Sequence, residues 1–585
     1  MSGSDTISAG PERASNLVDL FLRRADPSEG TTTSYLFPGR DGASPIELTA
    51  ARLLEQAVAV AGSLQPRHRR GDRVILLLPP GPAFLLGFAG TVLAGLVPVP
   101  TATPGRARLA RSLPGVRRVA ADCDAAAVLT TASLSSALAE LDSGLDGLLR
   151  HELEQLLPGG VAGWVDPELT PQDTAFLQYT SGSTSDPRGV VVTHGALLAN
   201  LAAIHGAFQL SPTTRLVTWL PPHHDMGLVG GLLTPLHAGY EAVVLSPNDF
   251  VQAPVRWLRA ISDHRATLSG GPDFAYRLCA ERIRDDQLDG IDLSCWRTAF
   301  TGAEPVSATT IDTFVERFAP VGFSRDAFYP CYGLAESTLM VTGGTAFVGP
   351  TVRSVSRGRL HEEGRAEPPL DDQDDRRLVS CGRPVGDGTE VVVVDPATAT
   401  ELPLGTVGEI WVSGPSVAAG YIGRPAETTA AFHAHLTDGR GPFLRTGDLG
   451  VVIDGELHVT GRLKDVIIVQ GRTLDAHDVE SAVRAVVPMH PQAMTAALST
   501  IDGGERFVIA HEIGRRESSP ERLVLAVQAA VAERFEVRAD DVVLLRLGAL
   551  PRTTSGKLRR AEAARLLAAG ALPRAGSTSG SDRGT

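Results

Sequence analysis

Between Tyr179 and Gly189 the chain reads Tyr-Thr-Ser-Gly-Ser-Thr-Ser-Asp-Pro-Arg-Gly, with the apolar runs Ala175-Phe176-Leu177 before it and Val190–Val192 after it. Glycine lets the backbone turn tightly and brings amides close to a ligand. Amides and hydroxyls clustered in this way form a nest for phosphate oxygens. Taken alone, the same cluster also reads as a polar turn between two strands. Two lysines stand out for a different reason. Of 54 basic residues only Lys464 and Lys557 are lysine, and every other one is arginine. A solvated surface role explains them poorly in a chain that takes Arg at its surface. A compact ammonium on a flexible stem can enter a narrow site and bridge two anionic oxygens, whereas a planar guanidinium demands another geometry. Lys557 lies in Thr-Ser-Gly-Lys, and Lys464 in Gly-Arg-Leu-Lys-Asp.

The elements that must position these residues alternate in type. Strand candidates are Arg73–Leu78, Val97–Pro100, Ala125–Thr130, Leu216–Leu220, Glu241–Leu245 and Trp296–Phe300, with helical stretches between them, Phe84–Gly95 among these. The alternation predicts an α/β fold with largely parallel sheets. Composition changes at Val352: the stretch to Arg377 is polar and charged and reads as an exposed insertion or long loop. From Glu390 the texture turns to short strands with Gly and Asp turns, EVVVVD, GEIWVSG and GELHV, which predict a small β-barrel-like subdomain or distorted sheet. The expected organisation is a large N-terminal domain over 1–461, with an insertion at about 352–377. A small mobile α+β C-terminal domain over 462–570 and a disordered Ser/Gly-rich tail over 571–585 follow.

Composition closes several doors. With 585 residues the chain is long enough for more than one domain. The formal charge of −13 argues against nucleic acid as a partner. Five cysteines, at 123, 279, 295, 331 and 381, form no C-x-x-C pair and leave an odd one out. That suits a reducing, cytoplasmic setting better than a disulfide framework. No signal peptide and no transmembrane segment is expected. There is no H-E-x-x-H, no G-x-S-x-G and no Walker A loop.

Seven blocks, in order along the chain, resemble the motifs of the adenylate-forming superfamily of acyl-CoA synthetases, luciferases and nonribosomal adenylation domains. They are the loop at 179–189; Pro222-His223-His224-Asp225-Met226-Gly227-Leu228; Thr301-Gly302-Ala303-Glu304-Pro305; Tyr332-Gly333-Leu334-Ala335-Glu336-Ser337; Arg445-Thr446-Gly447-Asp448; Gly461-Arg462-Leu463-Lys464-Asp465; and Pro551–Leu558. Within that superfamily the chain is most similar to the fatty acyl-AMP ligases, in the wording of LQYTSGST, WLPPHHDMGLVGG, YGLAES, VSCGRPV, GPSVAAGY and GRLKDVIIVQGR. The polar stretch lies where those ligases carry their insertion. Arg188 stands where acyl-CoA synthetases usually have Lys, and Gly471–Asp475 departs from the ligases' usual Asn and His.

The resemblance implies a division of labour. Joining a carboxylate to the α-phosphorus of ATP brings two anions together, so the site needs fixed positive charge and a metal. Thr180, Ser181, Gly182, Ser183 and Thr184 would cradle the β- and γ-phosphates. Glu336 would be the Mg²⁺-associated acid, although by itself it also reads as a carboxylate at a helix start. Gly302, Ala303 and Glu304 would line one side of the adenine, and Tyr332 and Gly333 the other. Asp448 would grip the ribose hydroxyls, which in isolation is an ordinary turn residue. Arg462 would make a further ribose or phosphate contact, and His224 would close over the acyl carboxylate. Lys557 would reach the carboxylate and α-phosphate oxygens during adenylation, and Lys464 would mark the hinge. Met226, Leu228, Gly230, Gly231, Phe274 and Tyr276 face either the acyl group or plain core.

The activity so implied is activation of a fatty or related acid with ATP and Mg²⁺, then transfer of the acyl group to the phosphopantetheine thiol of an acyl carrier protein. An acyl-CoA ligase is the nearest alternative. An inactive nucleotide-binding scaffold is an alternative of another class, opposed by the joint presence of Glu336, Asp448 and Lys557. An amino-acid adenylation domain is disfavoured, because the block after Pro221 lacks a Phe-Asp start.

Overall fold

Runs of consecutive apolar residues suit strands buried on both faces, which a parallel sheet covered by helices provides. In the computed structural model, Arg73–Leu77, Val97–Pro100, Ala127–Thr130 and Leu149–Glu152 form such a four-stranded parallel sheet. The structure describes residues 14–29, 33–39, 43–103, 109–141, 144–145, 147–159, 163–180, 187–372, 374–469, 472–487, 493–500, 506–514, 519–535, 537–552 and 558–575.

The other three expected strands form as Arg215–Thr218, Glu241–Val244 and Thr298–Thr301. With Ser34–Phe37, Leu268–Gly271 and Phe328–Gly333 they make the parallel body of a nine-stranded sheet. Its edges are finished by antiparallel strands, Ile46–Thr49 on one side, Met340–Gly343 and Arg383–Pro384 on the other. The expected helix runs Pro82–Leu93, with Pro82 at its first position, where a missing N–H leaves no bond unmade. Its Gly90 lets it approach the helix Ala50–Leu64: a Cβ there would lie 2.5 Å from Val60 Cγ1. Thr174–Thr180 and Arg188–Thr193 pair as a separate antiparallel ribbon, and the segment joining them, 181–186, lies outside the described residues.

The β-textured region forms an open five-stranded antiparallel sheet of Glu390–Asp395, Thr400–Glu401, Gly408–Ser413, Leu444–Ile453 and Glu456–Arg462. Beyond it a turn, Leu463–Asp465, leads into an α+β unit. That unit has a hairpin, Val466–Val469 with Arg472–Asp475, and a three-stranded sheet of Thr495–Thr500, Arg506–Ile513 and Asp541–Arg546. Helices Ala476–Val486, Pro520–Phe535 and Arg560–Ala568 complete it. Apolar packing respects the change: one cluster of buried side chains runs from Leu17 to Leu457, another from Ile467 to Val542.

Two expectations are corrected. The polar stretch is not a loop. Val352–Ser356 and Asp375–Val379 pair as antiparallel strands with a helix, Arg357–Glu362, between them. Two of its side chains reach the C-terminal unit: Arg376 and His361 meet the Asp478 carboxylate at 2.9 and 3.3 Å, and the His361 ring stacks on Phe535. Residues 571–575 of the expected tail are ordered. Arg574 bridges to Leu545, Ala575 N donates to Leu544 O at 2.9 Å, and Leu572 is buried, because these residues extend the edge beside Asp541–Arg546.

Candidate functional site

Ligands of parallel α/β sheets bind beyond the carboxyl ends of the strands, and the motif residues gather there. Strand Thr298–Thr301 delivers Gly302, Ala303 and Glu304, and strand Phe328–Gly333 delivers Tyr332 and Gly333. Both glycines are demanded by backbone contact. A Cβ on Gly302 would lie 2.7 Å from Cys331 O, and one on Gly333 only 1.8 Å from Leu339 O. Ala303 takes a positive φ of 67°, which turns the chain sharply out of the sheet. The Glu304 carboxylate accepts from Phe274 N at 2.7 Å, so it caps the helix Asp273–Arg282, a favourable place for negative charge. Beside it the Asp273 carboxyl is pushed up to about 7, by burial first and by the Glu304 charge second.

Tyr332 is buried and its hydroxyl donates to Asp448 Oδ2 at 2.8 Å. Across the antiparallel pair, Asp448 faces Arg462, whose Nε lies 2.6 Å from Oδ1. The Asp448 side chain is 6% exposed and that of Arg462 is 54% exposed, so the acid is fixed inside and the guanidinium reaches out. Each carboxylate oxygen has a second acceptor site for a sugar hydroxyl.

Glu336 sits in the turn Ala335–Ser337 and its Oε1 accepts from the Tyr421 hydroxyl at 2.9 Å. Burial pushes its pKa up; the Tyr421 hydrogen bond works against that. Arg188, at the stem of the Ser/Thr/Gly ribbon, pairs with Glu427 at 2.9 Å and lies over the Tyr421 ring, 5.3 Å from its centroid.

His224 Nδ1 lies 2.5 Å from Asp225 Oδ1, and Asp225 also accepts from Met226 N at 2.7 Å, starting a π-helical turn over Met226–Leu233. Widened turns of that kind often occur at functional sites. Gly227 is required there, since a Cβ would lie 2.0 Å from Pro221 O. His223 turns inward: burial first, then the neighbouring His224, holds its imidazole at about 4, the neutral form.

Between these groups lies a cleft partly open to solvent. One end is apolar, with Ile204, Phe208, Met226, Phe300 and Met340; the other opens on Gly302, Ala303, Tyr332 and Gly333. Of the residues weighed for the acyl side, Met226 and Gly230 line it. Leu228 and Tyr276 are core: Tyr276 packs on Trp257, Phe314 and Phe328, and its hydroxyl donates to Phe300 O at 2.8 Å. Phe274 packs on Trp219, and Gly231 sits against Thr218.

Lys464 is exposed in the turn Leu463–Asp465, next to Arg462, and its neighbour Asp465 pairs with Arg560 of the C-terminal unit at 2.9 Å. Ser181, Gly182, Ser183, Thr184 and Lys557 lie outside the described residues, as does the side chain of Thr180. The residue that sequence reasoning missed is Tyr421. Its signal was present in Gly-Pro-Ser-Val-Ala-Ala-Gly-Tyr, which had only a family likeness and no assigned chemistry.

Comparison with known proteins gives this geometry a context. Residues 31–422 match the family model described as AMP-binding enzyme. The medium-chain-fatty-acid–[acyl-carrier-protein] ligase JamA of Moorena producens is 39% identical over 93% of this chain and 94% of its own length. The long-chain-fatty-acid–AMP ligase FadD26 of Mycobacterium tuberculosis is 35% identical over 93% of this chain and 96% of its own. Among solved structures, the fatty acyl-adenylate ligase from L. pneumophila, in complex with acyl adenylate and pyrophosphate, is 36% identical with a TM-score of 0.75. It covers 96% of this chain and 97% of its own.

Proposed function

The chain belongs to the AMP-binding enzyme family, and from that premise we propose that it is a fatty acyl-AMP ligase that passes its acyl group to an acyl carrier protein. The observation that carries the proposal is the single cavity with two chemistries. Its apolar end suits an alkyl chain, its polar end is walled by Gly302, Ala303, Tyr332 and Gly333, and Asp448 and Glu336 stand at the strand ends beside it. An acyl adenylate is a molecule of that shape, apolar at one end and a nucleotide at the other.

ATP binds with its adenine between the 302–304 and 332–333 segments and its ribose hydroxyls on Asp448. Tyr332 and Arg462 hold that carboxylate in place, so ribose binding costs no reorganisation. The Ser/Thr/Gly loop, Thr180–Thr184, takes the β- and γ-phosphates. The substrate carboxylate enters beside His224 and attacks the α-phosphorus, and pyrophosphate leaves. Lys557 stabilises the negative charge that builds on the carboxylate and α-phosphate oxygens. Glu336 fits a Mg²⁺ role. It is a half-buried carboxylate in the turn Ala335–Ser337, and no group of three His, Cys, Asp or Glu side chains able to hold a metal occurs among the described residues. One carboxylate with phosphate oxygens and water is how Mg²⁺ is normally held. Bound there, the ion would neutralise phosphate charge.

The C-terminal unit, 462–570, is the mobile one in this reading, turning about Lys464. It presents Lys557 for adenylation and another face for the carrier's phosphopantetheine thiol. The insertion's grip on Asp478 supports a restraint on that turning. No helix of the described residues is long and apolar enough to cross a membrane, and the reducing conditions that suit five free thiols are those of the cytoplasm.

The test is a panel of carboxylic acids with ATP, Mg²⁺ and either free CoA or a phosphopantetheinylated carrier protein. We expect pyrophosphate exchange that depends on fatty acids and transfer to the carrier. Rapid formation of acyl-CoA would overturn the choice of acceptor. Absence of exchange with every acid would overturn the activity.

A further inference from the structure

Glu336 sits in the turn Ala335–Ser337 and the stem strand Arg188–Thr193 belongs to a separate ribbon, yet a single short segment, Ser416–Arg424, is bonded to both. On the loop side, Val191 N donates to Gly420 O, Ala419 N to Val191 O and Ile422 N to Gly189 O, each at 2.9 Å. The segment thus runs as an extra edge along the stem strand Arg188–Thr193. On the acid side, Ala418 N donates to Glu336 O at 2.9 Å, and the Thr338 hydroxyl donates to Ser416 O at 2.7 Å.

Tyr421 joins the two ends through its side chain. Its hydroxyl donates to Glu336 Oε1, while its ring lies beneath the Arg188 guanidinium, a cation–π arrangement. Arg188 cannot swing away freely, because Glu427 holds its Nε at 2.9 Å. The opposite stem strand is tied in as well: the Tyr179 hydroxyl donates to Asp122 Oδ2 at 2.7 Å, and Arg424 reaches Asp122 Oδ1 at 2.8 Å. Gly189 makes the close approach possible, since a Cβ there would lie 2.8 Å from Tyr179 Cζ and from Ile422 Cγ2.

We infer that Tyr421 is a positioning residue that fixes the orientation of the Glu336 carboxylate relative to the stem strand Arg188–Thr193. The inference rests on the Mg²⁺ role proposed for Glu336. The hydroxyl anchors Oε1 and thereby fixes the plane of the carboxylate. Without it the carboxylate is free to rotate about its last bond. Hydrogen-bonding partners that orient a metal's ligand typically change metal affinity about 10–100-fold when removed.

The test is equilibrium Mn²⁺ binding by the full-length protein with a non-hydrolysable ATP analogue, read as the free-Mn²⁺ electron paramagnetic resonance signal. Tyr421→Phe keeps the ring and its contact with Arg188 and removes only the hydroxyl. It should weaken Mn²⁺ binding by about tenfold, with nucleotide affinity in the presence of EDTA and the melting temperature unchanged. Wild-type Mn²⁺ affinity in Tyr421→Phe, with Glu336→Gln weakened, would overturn the inference while the metal role of Glu336 stands. Wild-type Mn²⁺ affinity in both variants would overturn the metal role and the inference with it.

Discussion

At the scale of single residues, the site is defined by scarcity and by constraint. Lysine is kept at two positions of 585, and the one in Thr-Ser-Gly-Lys is the one asked to meet charge as a bond forms. Replacing Lys557 with Ala should cut acyl-adenylate formation by orders of magnitude while ATP binding, measured by calorimetry, stays nearly intact, because its contacts strengthen in the transition state. Lys557→Arg is the sharper measurement: adenylation near the wild-type rate would mean that the compact ammonium is not what the position requires. Tyr332→Phe removes the donor to buried Asp448 and should raise KM for ATP several-fold with little change in kcat, since ribose binding is equal in ground and transition states. An unchanged KM would detach Asp448 from the ribose. Motif residues such as Asp448 and Glu336 were legible in the sequence because their blocks carry them. Their partners were not. Tyr421 lies 85 positions from Glu336 and Tyr332 lies 116 from Asp448, and one sequence holds no trace of such pairings.

At the scale of elements, parallel strands such as Arg73–Leu77 and Val97–Pro100 were legible because burial on both faces writes them as unbroken apolar runs, whereas Leu149–Glu152 and Leu268–Gly271, which carry polar residues or glycine, were not. The insertion was misread because its polarity has two meanings, solvation or pairing, and only the fold supplies Asp478 as the partner of Arg376 and His361. The same helix start carries a built-in cost. Asp475 caps Ala476–Val486, accepting from His477 N and Asp478 N. Its carboxyl stands at about 7 against an ordinary 3.8, raised by burial first and by the Asp478 charge second. A carboxyl raised in the folded state costs nothing at pH below about 4 and destabilises progressively as pH climbs to 7. Asp475→Asn keeps the capping oxygen and discards the charge. Its melting temperature should therefore match wild type near pH 4 and exceed it at pH 8. A variant no more stable at pH 8 would contradict the burial of that charge. In the opposite sense, Glu512 is wholly buried with bonds from Met494 N, Leu550 N and Arg552. Glu512→Ala should destabilise the C-terminal unit by about 1–3 kcal/mol, the usual result of leaving N–H groups such as those of Met494 and Leu550 without an acceptor, as read by denaturant melts.

At the scale of the whole molecule, two cores meet at a turn where Leu463 and Lys464 are exposed, and the insertion bridges across it to Asp478. Arg376→Ala should loosen that bridge: limited proteolysis at 463–465 should speed up and the share of acyl groups passed to free CoA should rise. Unchanged cleavage would show that the insertion does not restrain the unit. The cavity has a further consequence at this scale. Its end at Gly302 and Gly333 is bounded by main chain against main chain, with Leu339 O standing where a Gly333 side chain would begin and Cys331 O crowding Gly302. Its far end is bounded by side chains such as Ile204, Phe208 and Phe300. Substitution can resculpt the second and can only break the first. A library drawn on the aliphatic end should therefore yield catalysts for new acids, while one drawn on the purine end should yield inactive protein. Within such a lineage the choice of acid can drift freely around a cofactor that never changes.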